Sequence, residues 1–154
     1  MYCPVKMPEK RAYEISAIIS AIFAVMYAQV ELWINWERVF RTISIPFEGV
    51  RIGEAVIPVS LYNLIFTTAL YILVAFGPLI PFMNWKAFDM GLGNFFLICL
   101  LEDVSYFVLA GRMITPSDYT AKMLGYFQIG NVVIPVWYIL DLILVVYFYS
   151  KALR

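Results

Sequence analysis

The chain has 154 residues, 63% hydrophobic, 18% aromatic and only 14% charged, whereas an ordinary soluble domain is roughly 45–50% apolar and about 25% charged. A domain of this size buries only about two-thirds of what its unfolded chain exposes, so the apolar surplus argues against a soluble globule and makes a lipid bilayer the expected solvent. Eleven Lys+Arg balance eleven Asp+Glu, with no basic run longer than Lys10-Arg11, so there is no footprint for a phosphate backbone and nucleic acid is excluded as an expected partner.

In chain order, the first predicted crossing covers 12–34, behind a tail carrying Lys6, Lys10 and Arg11. Its apolar run exceeds the ~7–15 residues of a signal-peptide core and lacks an A-x-A site, so it reads as a retained helix. Glu14 is placed at its start, in hydrating headgroups. Ala17, Ala21, Ala24 and Ala28 follow the small-xxx-small spacing that lets membrane helices approach closely. The polar segment 35–60 comes next. Ile43, Ile45 and Phe47 alternate there, and Gly53-Glu54 suits a two-residue turn, so a short β-hairpin or surface segment is expected, confined to an edge by Pro46 and Pro58.

The second crossing is predicted over 61–82, stopped or kinked by Pro78 and Pro81, with Asn63, Thr67 and Tyr71 as a polar stripe. A third covers 88–111. In the connection 112–131, Thr115-Pro116-Ser117-Asp118 is expected to cap a short interfacial helix through Met123 to Phe127, ahead of a fourth crossing over 132–150. Trp33, Trp36, Trp85, Tyr147 and Tyr149 fall near the predicted ends, as interfacial belts require. The expectation is an all-α membrane protein: one domain of four transmembrane helices in an antiparallel bundle. If both ends share a side, that side carries six Lys/Arg against five, which leans toward cytoplasmic termini in the cell membrane.

The chemistry lies in charges at depth. Glu102 and Asp103 fall near the centre of the third crossing and Asp141 near that of the fourth, and no Lys or Arg lies inside any predicted span. A central carboxylate costs about 2.5–3.5 kcal/mol on insertion scales, so each must be protonated, hydrogen-bonded, paired with a bound cation or met by a partner's cation. Adjacent helical residues point about 100° apart, so Glu102 and Asp103 either straddle one face or serve two. Glu31 falls in the leaflet half where the third crossing ends and is a candidate for the same acidic cluster, although its place near an interface favours a neutral structural group hydrogen-bonded across the bundle. Tyr106, four positions from Glu102, and Tyr138, three from Asp141, are placed as hydrogen-bond donors.

Absent chemistry narrows the field. The chain has no histidine, which disfavours haem, His-ligated metals and a His general base, and with no lysine inside a span retinal is disfavoured as well. No cofactor is identified. Cys3 and Cys99 fall at different depths and make a poor disulfide pair, and Gly91-x-Gly93-Asn94 is too short for a phosphate-binding loop. Three readings stand: a membrane protein whose acidic site binds a cation, proton or polar ligand; an accessory subunit whose carboxylates pair with a partner's Arg or Lys; and a carboxylate/metal enzyme on a lipid-like substrate. The first two imply a homo-oligomer or other membrane subunits as partners.

Overall fold

The computed structural model describes residues 9–34, 50–52, 55–57 and 68–154. The fold is mostly helical. Helix α1 spans Glu9–Trp33, β1 Val50–Ile52, β2 Ala55–Ile57 and α2 Leu70–Phe76, which continues into a 3-10 turn over Gly77–Phe82. Helix α3 spans Trp85–Leu109, α4 Tyr119–Lys122, β3 Tyr126–Ile129, β4 Val132–Pro135 and α5 Val136–Ala152. Helices α1 and α3 are each long and apolar enough to cross a membrane, while α5 has 17 residues and the apolar stretch Leu70–Phe82 is shorter still. Residues 61–67 of the second expected crossing, with Asn63 and Thr67, lie outside the described residues, as do Cys3, Trp36, Pro46, Pro58 and the alternating Ile43, Ile45 and Phe47.

Helix α3 is the hub, packed against α1, α2 and α5. The start of α1, the start of α3 and the end of α5 meet at one end, where Glu9, Lys86 and Ala152 border a common cleft. Tyr13 and Ala87 share one core cluster, and Ala24 and Ile98 share the next one along. Thus α1 and α3 run the same way, and α5 runs opposite to both.

Local chemistry sets the boundaries. Asn84 caps α3 by accepting the Ala87 amide at 2.8 Å, so the helix begins three residues before the expected 88. Its far end closes when Gly111 turns left-handed at φ 64°, with the Gly111 amide on the Val108 carbonyl and the Arg112 amide on that of Phe107. Those two bonds are the pattern of a Schellman cap. Pro78 and Pro81 deny amide donors to the preceding turn, and the chain tightens there from α to 3-10 geometry.

Two hairpins qualify the all-α expectation. In the first loop Val50–Ile52 and Ala55–Ile57 pair antiparallel, Ile52 with Ala55, while Gly53 and Glu54, expected to form the turn, lie outside the described residues. The second hairpin corrects two expectations. The short helix is Tyr119–Lys122, earlier than the expected Met123 to Phe127 stretch, and Val132–Pro135 is a strand, so the fourth helix starts at Val136 rather than 132. Ile129 pairs with Val132 across Gly130-Asn131, with Gly130 at φ 60°, a backbone state that glycine enters without steric cost. Glu14, expected at the helix start, stands inside α1 and exposed, because the helix already runs from Glu9.

Candidate functional site

The buried face of α1 carries Tyr13, Ser16, Ser20, Ala24, Tyr27 and Ala28. Of the alanines singled out from spacing, Ala24 and Ala28 are fully buried, while Ala17 and Ala21 are half-buried. The small-residue seam is therefore Ser16, Ser20, Ala24 and Ala28, rotated slightly from an all-alanine stripe. Hydroxymethyl groups are small enough for close helix approach and also hydrogen-bond across it.

Asn94 on α3 uses that property. Its amide donates to Ser16 Oγ on α1 and to the Ala75 carbonyl on α2, both at 3.1 Å, and its Oδ1 accepts from the Tyr149 hydroxyl of α5 at 2.8 Å. One fully buried amide thus ties α3 to three other helices. Pro78, three residues after Ala75, lacks the N–H that a 3-10 turn would direct to that carbonyl, and Asn94 supplies a donor instead. Tyr149, expected at the interface, turns inward to make its bond. Trp33 and Trp85 remain outward, at 78% and 83% exposed.

The adjacent acids serve two different neighbourhoods. Glu102, only 9% exposed, faces α1 and α2, within side-chain hydrogen-bonding reach of Glu31 and close to Tyr71. The Tyr71 ring packs edge-on against Tyr27 and Phe23, with centroids 5.6 and 5.9 Å away. Its hydroxyl is buried and makes no hydrogen bond among the described residues, and the same holds for Ser20 Oγ.

Asp103 faces the other way. It accepts from Thr120 Oγ1 at 2.8 Å and from the Tyr138 hydroxyl, and Trp137 Nε1 donates to the Thr120 carbonyl at 2.9 Å. This carboxylate is occupied in fastening α4 and the start of α5 to α3. Tyr138 therefore serves Asp103 rather than Asp141, and Tyr106 reaches toward Arg112 rather than Glu102. Asp141 sits half-buried on α5, on the side where its charge is felt by Cys99. Among the described residues it has no hydrogen bond or ion pair.

Two ion pairs were not singled out from sequence. Lys151 at the end of α5 reaches Asp89 in the first turns of α3 at 3.0 Å, and Arg112 meets Asp118 at 2.9 Å while stacking on Phe107. Asp118 also accepts the Thr115 amide at 2.7 Å and its hydroxyl at 2.8 Å. The Arg112 hydrogen bond is the main cause that holds the Asp118 carboxyl down at about 2, outweighing partial desolvation. A depressed carboxyl stabilises the folded loop above the unfolded value near 4, and that contribution disappears as pH falls through about 2. Protection of the Thr115 amide relative to its intrinsic exchange rate is expected to fall across that acid window, and in Asp118→Asn to be low already at neutral pH. Equal protection in the variant would contradict the role given to the carboxylate.

Among the described residues no group of three or more His, Cys, Asp or Glu is placed to hold a metal ion. No protein-family model matches the chain, and neither do any of the curated proteins or solved structures compared with it.

Proposed function

We propose that this is a small multi-pass membrane protein whose interior carries an acidic site for a cation, a proton or a small polar ligand. The membrane part of the reading is supported by an inside-out helix. On α1 the outward residues include Ile15, Ile18, Ile22, Val25 and Met26, while Ser16 and Ser20 are fully buried. Water would favour the reverse arrangement, and hydrocarbon favours this one. Only 28% of the apolar window in α1, and likewise in α3, is buried, unlike the core helix of a soluble protein. The 17 residues of α5 reach about 26 Å at 1.5 Å per residue, which spans a bilayer core of ~30 Å with slight thinning. The remaining crossing of this reading is the expected span 61–82, of which Leu70–Phe82 is a shorter apolar helical stretch among the described residues.

The observation that carries the site is the approach of Glu31 and Glu102 from two helices beside the Tyr71 hydroxyl, which is buried with no hydrogen bond among the described residues. Two carboxyl groups this close repel when both are ionised, so a positive species between them stabilises the fold. A second reading, an accessory subunit in a larger membrane assembly, is favoured by Asp141, half-buried on an apolar helix without a hydrogen bond or ion pair among the described residues. A partner's Arg or Lys would neutralise it.

One set of measurements separates the two. Thermal stability of the detergent-solubilised protein is followed against pH and against added mono- and divalent cations, for wild type, Glu102→Gln and Asp141→Asn. The site reading expects a dependence on pH or cations that Glu102→Gln removes. Unchanged behaviour in Glu102→Gln, with a co-extracted membrane protein lost in Asp141→Asn, would transfer the assignment to the subunit reading.

A further inference from the structure

Resting on the site reading above, we infer that the ligand of this site is a single proton shared between Glu31 and Glu102, and that Tyr71 completes the site when the proton leaves. The geometry narrows the ligand. A dehydrated metal cation needs about six or more oxygen ligands for calcium, or near-octahedral coordination for magnesium. The described residues gather two carboxyl groups and one phenol, whose ring packs against Phe23 and Tyr27. A proton needs no room, only two oxygens in hydrogen-bonding reach, and Glu31 and Glu102 supply them.

Tyr71 is the independent sign of a second state. It is 1% exposed, it lies beside Glu102, and its hydroxyl reaches no hydrogen-bond distance to a partner among the described residues. A buried hydroxyl left unpaired costs roughly 1–3 kcal/mol, so its position suits a partner that changes. With the proton in place, one carboxyl donates to the other and the pair carries one negative charge. When that O–H bond breaks and the proton passes to water, the pair carries two, and a phenol donor then stabilises the added charge. Among the described residues, the other titratable groups whose charge couples to Glu102 are Asp103 and Cys99 on α3 and Tyr138 on α5, although Asp103 and Tyr138 lie on the other face, while Tyr27 on α1 packs on Tyr71 and Asp141 acts with Glu102 on Cys99. None of these is cationic, so the charge step falls on the dyad, which titrates as one unit.

The test is infrared spectroscopy of the protein reconstituted in lipid vesicles, titrated with pH in H2O and in D2O. The expected result is a protonated-carboxyl C=O band, shifted by deuterium, that vanishes in one transition, is lost in Glu102→Gln, and changes its frequency and midpoint in Glu31→Gln, where a buried carboxyl remains but has lost its partner. In Tyr71→Phe the transition moves to higher pH, because the doubly charged form has lost its donor. Should a variant fail to fold, wild-type protein labelled with 13C-carboxyl glutamate carries the test, since the same band must then shift with the label. If the labelled carboxyls show no deuterium-sensitive acid band while sodium or a divalent cation stabilises the protein at fixed pH, the proton assignment is overturned and the broader site reading stands. If neither pH nor cations act, and Glu102→Gln matches wild type, both fall.

Discussion

Asn94→Leu is expected to destabilise the protein by about 2 kcal/mol, and by more than any single deletion of its partners. Leucine fills similar space, so the loss reports hydrogen bonding rather than a cavity. Three bonds disappear together, to Ser16, the Ala75 carbonyl and Tyr149. Side-chain bonds between membrane helices average roughly 0.6 kcal/mol each, and the orphaned Ala75 carbonyl adds to the sum because Pro78 has no N–H to offer in exchange. Unfolding in mixed detergent and denaturant micelles measures the loss. A double-mutant cycle with Tyr149→Phe should show coupling of several tenths of a kcal/mol or more, since the two side chains share a bond. Additive effects would mean that Tyr149 and Asn94 are not joined in the folded protein.

The importance of Asn94 is not legible in the sequence, and the reason is instructive. The residue stands within Gly91-x-Gly93-Asn94 at the head of an apolar run, and periodicity does not say which neighbours an amide will meet. Hydropathy locates the helices because it measures the solvent each segment prefers, and α1 and α3 lie close to where composition puts them. It fails at Val132–Pro135 because an apolar strand and an apolar helix are alike to it, although Gly130-Asn131 is a turn signal of the same kind as Gly53-Glu54. The surroundings of the candidate acids are legible only in part. Charge at depth points to Glu102, Asp103 and Asp141, and the helical angle of about 100° per residue already allows two neighbouring acids to face different ways. Which way each faces depends on helix rotation and tertiary contact, and these give Glu102 to Glu31 and Tyr71, give Asp103 to Thr120 and Tyr138, and leave Asp141 half-buried on α5.

Gly93→Ala is expected to produce the second large loss, about 1–3 kcal/mol, the usual range for overpacking a well-filled interior. A β-carbon at Gly93 would come within 2.4 Å of the Tyr149 ring, closer than carbon atoms tolerate. An exposed ring would swing aside at little cost. This one is tethered through its hydroxyl to Asn94, so relief requires either parting α3 from α5 or breaking the 2.8 Å bond. Gly91 gives an internal comparison: a β-carbon there meets the Phe76 ring at 2.3 Å, an equally short approach, but phenylalanine has no hydroxyl to tether it. Gly91→Ala should therefore cost less than Gly93→Ala. The decisive variant is Gly93→Ala combined with Tyr149→Leu, which removes the ring and its tether together and should recover part of the loss seen for Gly93→Ala alone. If Tyr149→Leu instead deepens the defect by its full single-mutant cost, the ring is not what the glycine accommodates, and the close approach of α3 and α5 must be assigned to other contacts.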